Sequence, residues 1–345
     1  MTSSIKDVAR VAGVSVATVS RALSGAATVS AALTARIQQA IQETGYRPNL
    51  SARRLRSQDS GTIGLIVADI RNPFFTAVSR AVEDAAYRIG LRVILCNTDE
   101  NPDKEAMYLT LMEEERVTGV IFAPTRRTAE GLNPQDWSFP IVLIDRVGAR
   151  GSQDAVALDN AAASTLLVEH LHAQGCRRIA GVFGNASSSG VERHDGYVAA
   201  MFRLGLPPRS VFVPPQARAA EEAAALWLGA AERPDALIAS NGLLLMGLVR
   251  AVRHAGLQIA RDIAVAGFDN ESWTEIVEPG LTVIEQPVDD IGRNAMLLLS
   301  DRLKNPMLPA RKLLLSGRCI ERGSTQCGRA ADGRSQPLIV PPVDV

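Results

Sequence analysis

Ile5-Lys6-Asp7-Val8-Ala9-Arg10-Val11-Ala12-Gly13-Val14-Ser15-Val16-Ala17-Thr18-Val19-Ser20-Arg21-Ala22-Leu23 decides how the rest of the chain is read. Apolar Ile5, Val8, Ala9 and Ala12 recur at helical spacing, and Gly13 ends the run because glycine tolerates the left-handed backbone of a sharp reversal. Ser15 is placed to cap a second helix, Val16 to Leu23, with Thr18 and Ser20 on its exposed side. Two short helices across an Ala-Gly-Val-Ser turn are a helix-turn-helix arrangement, whose second helix is free to enter a major groove.

Working outward, Ser30 caps a third helix to about Thr44, with Leu33, Ile37, Ala40 and Ile41 repeating every three to four residues. Gly45 stops it and Tyr46-Arg47-Pro48 turns the chain. Residues 1–60 hold eight basic side chains (Lys6, Arg10, Arg21, Arg36, Arg47, Arg53, Arg54, Arg56) against Asp7, Glu43 and Asp59, a net of +5. The whole chain is neutral, so the remainder carries −5. A basic head on an acidic body points to a polyanionic partner for the head alone. The next stretch, Asn49-Leu50-Ser51-Ala52-Arg53-Arg54-Leu55-Arg56, is too short for an isolated helix to be stable in water. Arginines around a leucine suit a minor groove, which admits cations and an apolar wedge; the same composition equally suits a solvated linker.

At 345 residues the chain is too long for one compact core. With 46% hydrophobic and 21% charged residues it has a globular composition. No run approaches the roughly 18 apolar residues of a membrane span, so no membrane partner is expected. MTSSIKDVARVAG lacks a basic leader and apolar core, which leads us to expect a cytoplasmic protein. Cys96, Cys176, Cys319 and Cys327 are scattered without a CxxC pair and are expected as free thiols. The four histidines show no zinc spacing, and no cofactor or metal is implied.

From Gly61 the pattern changes to buried strands alternating with helices. Strands are predicted over residues 62–67, 91–95, 119–123 and 141–144, then 178–183, 236–239 and 263–268. Helices are predicted over 74–89 and 102–116, then 161–173, 192–204, 219–230 and 243–255. The class is α/β, with two doubly wound parallel sheets whose ligands bind beyond the carboxyl ends of the strands. From Ser324 the tail has no periodicity and is expected to be disordered, and it lacks the leucine heptad of a coiled coil.

Ile5-Lys6-Asp7-Val8-Ala9, Ala12-Gly13-Val14-Ser15, Thr18-Val19-Ser20-Arg21-Ala22-Leu23, Gly45-Tyr46-Arg47-Pro48-Asn49 and Ala52-Arg53-Arg54-Leu55-Arg56 resemble the headpiece of lactose-repressor-type (LacI/GalR) regulators. The likeness continues through Ile63-Gly64-Leu65-Ile66, Asn72-Pro73-Phe74-Phe75, Leu95-Cys96-Asn97-Thr98-Asp99 and Gly267-Phe268-Asp269, to about Gly323. It implies a helix-turn-helix DNA-binding domain over 1–48 and a hinge helix over 49–60. It also implies a periplasmic-binding-protein-type sensing domain over 61–323 whose two subdomains are joined by three crossovers, the N-subdomain at about 61–158 plus 286–306 and the C-subdomain at about 159–285 plus 307–323. The tail is then 324–345.

The resemblance further implies a homodimer reading a pseudo-palindromic operator on double-stranded DNA. Val16, Ala17 and Arg21 would face base edges, Arg21 suited to a bidentate contact with guanine and the two small apolar residues to a thymine methyl. Ser15, Thr18 and Ser20 suit phosphates, and Leu55 falls at the family's minor-groove lever among Asn49, Ala52, Arg53 and Arg56. For a small-molecule effector the matching positions are Phe74, Phe75, Asp145, Arg146, Arg193, Asn241 and Asp269. Carboxylates and an amide exchange hydrogen bonds with hydroxyl groups, Arg193 binds an oxygen or carboxylate, and a phenyl face covers a sugar ring. The chain departs from many relatives in having Asn241-Gly242 where they have Asn-Asp. Arg146 together with Arg193 would make the pocket more cationic, a modest tilt towards an oxidised or acidic sugar that leaves a neutral pentose or hexose open. The expected effector is therefore a sugar or sugar acid. An enzyme on the same α/β body lacks a GxxxxGK[ST] loop, a GxSxG elbow or metal spacing. A transport protein is opposed by the basic head and the missing leader. The expected function is an effector-controlled repressor.

Overall fold

The computed structural model describes residues 4–23, 29–46, 60–148 and 153–326, and the chain divides into two compact units, residues 1–60 and 61–345. In the first unit α1 (Ile5–Val11), α2 (Val16–Leu23) and α3 (Ala31–Thr44) form where periodicity predicts them. Side chains cap each start. The Ser4 N–H donates to Asp7 Oδ2 at 3.0 Å, Ser15 Oγ accepts the Thr18 N–H at 3.1 Å, and Ser30 Oγ accepts the Leu33 N–H at 3.4 Å. Gly13 has φ 63°, the left-handed turn between α1 and α2. The helices close on buried Val8, Ala9, Ala12, Val19, Ile37 and Ala40.

In the second unit the first sheet holds β1 (Thr62–Val67), β2 (Arg92–Asn97), β3 (Gly119–Phe122), β4 (Ile141–Ile144) and β5 (Asp154–Leu158), joined much later by β11 (Lys312–Leu315). Its order is β11-β5-β4-β3-β1-β2, parallel throughout. The second sheet holds β6 (Ile179–Gly184), β7 (Arg209–Val213), β8 (Ala236–Ala239), β9 (Ala264–Phe268), β10 (Thr282–Glu285) and β12 (Arg318–Ile320). Its order is β12-β10-β9-β8-β6-β7, parallel except for the antiparallel β12.

Alternation along the strands feeds cores on both faces. On the first sheet Ile63, Leu65 and Val67 meet α4 (Pro73–Arg88) and α12 (Val288–Lys304), while Ile66, Val120 and Phe122 meet α5 (Pro102–Glu114). On the second, α7 (Asn160–Ala173) and α8 (Ser188–Arg203) cover one face, and α9 (Ala217–Leu228) and α10 (Gly242–His254) the other. Short helices α6 (Arg126–Gly131) and α11 (Ser272–Ile276) lie in connections. The chain passes between the sheets three times, after Leu158, Glu285 and Leu315.

Two boundaries differ from expectation. Residues 307–315, expected with the C-subdomain, end in β11, which pairs in register with β5 of the first sheet, Leu313 beside Val156. The cause is charge: the almost fully buried Asp154 accepts from Arg302 Nη2 at 2.9 Å and from the Arg311 backbone N–H at 2.8 Å, pinning that stretch. The tail expected from Ser324 begins instead with a buried 3-10 turn, Gly323–Thr325. Ser324 Oγ accepts the Thr282 N–H at 2.8 Å and donates to the Val265 carbonyl at 2.6 Å. Thr325 Oγ1 lies 2.8 Å from His170 Nε2 and 2.9 Å from Thr282 Oγ1. Residues 327–345 of that expected tail lie outside the described residues.

Candidate functional site

On α2 the buried Val19 turns inward, leaving Ala17 and Arg21 exposed. Val16 is half-buried and packs against the headpiece core, so it offers only part of its side chain to a groove. Ser15 is exposed, Thr18 and Ser20 are half-buried, and the Ser15 and Thr18 hydroxyl oxygens lie 2.8 Å apart. Asn49, Ala52, Arg53, Leu55 and Arg56 of the expected hinge lie outside the described residues.

In the second unit one cleft collects all seven residues expected at an effector site: Phe74, Phe75, Asp145, Arg146, Arg193, Asn241 and Asp269. The fold accounts for this. Phe74 and Phe75 open α4 after β1, Asp145 and Arg146 follow β4, Asn241 caps α10 after β8, and Asp269 follows β9. Arg193 projects from α8, which follows β6. These are the carboxyl ends of parallel strands in both sheets, where such folds bind ligands. The two sides also touch directly. The Arg126 N–H donates to the Ala186 carbonyl at 3.0 Å, and Ser189 Oγ donates to Asp145 Oδ2 at 3.4 Å.

Four acidic residues at strand ends hold a left-handed backbone that side chains normally avoid: Asp99 (φ 54°), Glu100 (57°), Asp145 (64°) and Asp269 (77°). Such conformations cost on the order of 1–3 kcal/mol each and persist where surrounding structure enforces them, often at functional sites. Three of the four, Glu100, Asp145 and Asp269, line the cleft.

The two arginines have opposite fates. Arg146 forks onto the Glu100 carboxylate, donates to the Pro124 carbonyl at 2.8 Å and reaches Asp145 at 3.2 Å. Burial works against its charge, but Glu100 and Asp145 overcome that and hold the guanidinium above its ordinary range. Arg193, equally buried, has no carboxylate within ion-pair distance among the described residues. Its Nε donates to Asn160 Oδ1 at 2.8 Å and its Nη1 to the Ser240 carbonyl at 2.5 Å, with the guanidinium 4.2 Å from the Phe268 ring centre. Burial pulls its pKa down, opposed by the more distant Asp269 and Asp145. Arg193 Nη2 is buried and meets no partner among the described residues. The two arginines do not leave the cleft positive on balance: Glu100 and Asp145 pair with Arg146, Asp69 pairs with Arg71, and Asp269 lines the cleft with Arg193.

Asn241 has the structural task that any strand-end Asn can have: its Oδ1 accepts the Leu244 N–H at 2.8 Å and caps α10. Asp269 accepts the Gly242 N–H at 2.8 Å and Gln286 Nε2 at 2.6 Å. Gln286 escaped prediction because β10, which delivers it, was not legible as a strand. Its Oε1 is buried without a partner among the described residues and it lines the cleft. Glu100 and Ser240 were also missed, although Ser240 directly follows β8 beside Asn241 and its position was readable.

Comparison with known proteins adds a history to this geometry. Residues 4–49 match the lacI family of bacterial regulatory proteins, and residues 168–325 match a periplasmic binding protein-like domain. The HTH-type transcriptional regulator PtxS of Pseudomonas plecoglossicida is 36% identical over 325 residues, 93% of this chain and 95% of that one. The ribose operon repressor of Halalkalibacterium halodurans is 33% identical over 335 residues, 96% of this chain and 99% of that one. Among solved structures, the lac repressor dimer bound to operator and the anti-inducer ONPF shares the fold with a TM-score of 0.83, at 24% identity over 94% of this chain and 99% of that one.

Proposed function

Because the chain belongs to the LacI family of bacterial regulatory proteins, and is thus a DNA-binding transcriptional repressor rather than an enzyme, we propose that it acts as a cytoplasmic homodimer whose grip on a pseudo-palindromic operator is set by a small neutral sugar in the cleft. The observation that carries the effector reading is the pair of unsatisfied buried groups, Arg193 Nη2 and Gln286 Oε1, beside Asp145 and Asp269. Burying such groups unpaired is costly unless a partner arrives. Hydroxyl groups, which donate and accept, answer a site with both kinds of vacancy. With Asp69 paired to Arg71, and Glu100 and Asp145 sharing Arg146, the remaining Arg193 is balanced by Asp269, so a carboxylate finds no net positive charge, which favours the neutral sugar over the acid. The similarity to ribose operon repressors agrees with a pentose-sized molecule.

Ala17 and Arg21 read base edges, Val16 assists with its exposed part, and Ser15, Thr18 and Ser20 contact phosphates. The hinge of residues 49–60, with Leu55 as its wedge, transmits the state of the sensing domain. Support for the homodimer comes from large apolar side chains standing in solvent on β2, the edge strand of the first sheet, and on the segments leading into and out of it: Tyr87, Ile89, Leu95 and Met107. Effector and operator then favour different arrangements of the same dimer, with reciprocal coupling of about 1–3 kcal/mol, on the order of 5- to 150-fold in operator affinity.

The test has two arms. Selection of duplexes from a random pool by the full chain should enrich a two-fold symmetric site, bound more weakly at higher salt. Titration with D-ribose, D-xylulose, D-glucose and D-gluconate should raise thermal stability and change operator affinity for at least one neutral sugar. A response to D-gluconate alone would overturn the neutral-sugar reading.

A further inference from the structure

Gly242 opens α10 without a side chain, and the space over it is filled from elsewhere. A Cβ built on Gly242 would lie 2.2 Å from Glu271 Oε1 and 3.0 Å from its Cδ. Glu271 stands two residues beyond Asp269, in the turn before α11, and its carboxyl is aimed by Trp273, whose Nε1 donates to Oε2 at 2.5 Å. The other oxygen, Oε1, is buried and meets no partner among the described residues. Burial pushes this carboxyl up to about 6, against the pull of the Trp273 hydrogen bond and with the help of the Asp269 charge.

The surroundings point outward from this pair. Glu271 lines a groove with Phe74, Asp269 and Gln286, three residues that also line the cleft, so the groove and the cleft share a wall. The space that a side chain at 242 would take is held instead by a carboxylate from the neighbouring loop. A carboxyl held only to pack would have its oxygens satisfied or in water, since an unpaired buried acceptor costs stability.

We infer that Glu271 is a further effector-contacting residue that sets specificity, its Oε1, held over the bare Cα of Gly242, accepting a hydroxyl of a sugar that extends from the cleft into the adjoining groove. This rests on the effector reading of the cleft. Gly242 and Glu271 act as one unit: any side chain at 242 displaces the carboxylate from its place.

Calorimetric titration of the full chain with D-ribose, D-xylulose, D-glucose and D-gluconate tests this, comparing the unmodified protein with Glu271→Gln and Gly242→Ala. Glu271→Gln keeps the shape and replaces the ionised acceptor. Gly242→Ala removes no group and only pushes aside a flexible side-chain end, so it serves as a second readout if the first variant unfolds. Both should weaken the best-binding sugar at least tenfold and change the order in which the four sugars bind, which loss of packing alone would not do. If the unmodified protein binds none of the four, the effector reading falls and this inference with it. Binding that both variants leave within twofold, in the same order, overturns the role of Glu271 alone.

Discussion

Arg193→Ala tests the cleft at its most informative point. The side chain makes two donations to the protein, to Asn160 and to Ser240, and keeps Nη2 in reserve. A hydrogen bond from a charged donor contributes about 1.5–3 kcal/mol, so removing the donor should weaken sugar binding about 10- to 150-fold. The protein itself loses two internal hydrogen bonds and the contact with Phe268, leaving two buried acceptors at about 1–3 kcal/mol each. Release of a fully buried cation from its desolvation offsets part of that cost. Arg193→Lys refines the result, because lysine keeps the charge but not the fork that serves Asn160, Ser240 and a ligand together; it should lose nearly as much affinity. Calorimetry with D-ribose and D-gluconate reads the ligand side, and fluorescence anisotropy with a selected operator duplex reads the DNA side. Operator affinity without sugar should stay within twofold while the sugar response is lost. An alanine variant that folds and still responds to the same sugar with unchanged affinity refutes the placement of Arg193 at the ligand.

Ile37→Ala in the headpiece core, where Ile37 is only 1% exposed, should cost about 2–5 kcal/mol. That is enough to melt so small a core, so operator binding should vanish while sugar-induced thermal stabilisation persists. Ser324→Ala leaves the buried Thr282 N–H without its acceptor and should destabilise the sensing unit by about 1–3 kcal/mol, seen in chemical denaturation; an unchanged midpoint would show that the turn contributes nothing. Burial lowers His170 from its ordinary 6.5, with Glu321 opposing. Its neutral form therefore supports the fold above about pH 6.5, and that support is lost as pH falls through the lowered folded value. The unfolding temperature should drop on acidification below about pH 6.5, and His170→Asn should flatten that drop.

The sequence made legible what repeats locally. The headpiece helices followed from periodicity, serine caps and Gly13, and β1, β3 and β4 from short apolar runs fully buried between helices. Asp145, Asn241 and Asp269, singled out by the resemblance and by their place at strand ends, meet in one cleft. What stayed hidden depends on distant partners. β5 begins with Asp154, which reads as a loop residue until Arg302, 148 positions later, neutralises it. β11 has only half its side chains partly covered, and β12 is three residues long, so neither carries a strong signal. The pairing of Arg146 with Glu100 joins residues 46 positions apart through a left-handed turn that no propensity favours. For the same reason a count of arginines alone does not give the charge of the cleft.

The three passages between the sheets fix an order of assembly. As the chain leaves the ribosome, the first sheet can gather β1 to β5 early, but its edge stays bare until residues 312–315 arrive, and the second sheet waits for 318–320. The two halves are thus completed within a few residues of each other. A premature stop in the region just beyond α12 would strip an edge strand from both at once and leave β5 and β10 with open backbone, a template for aggregation. The headpiece, by contrast, is synthesised whole within the first 46 residues. During every round of translation the helix-turn-helix headpiece is thus finished long before the two-sheet body that follows it.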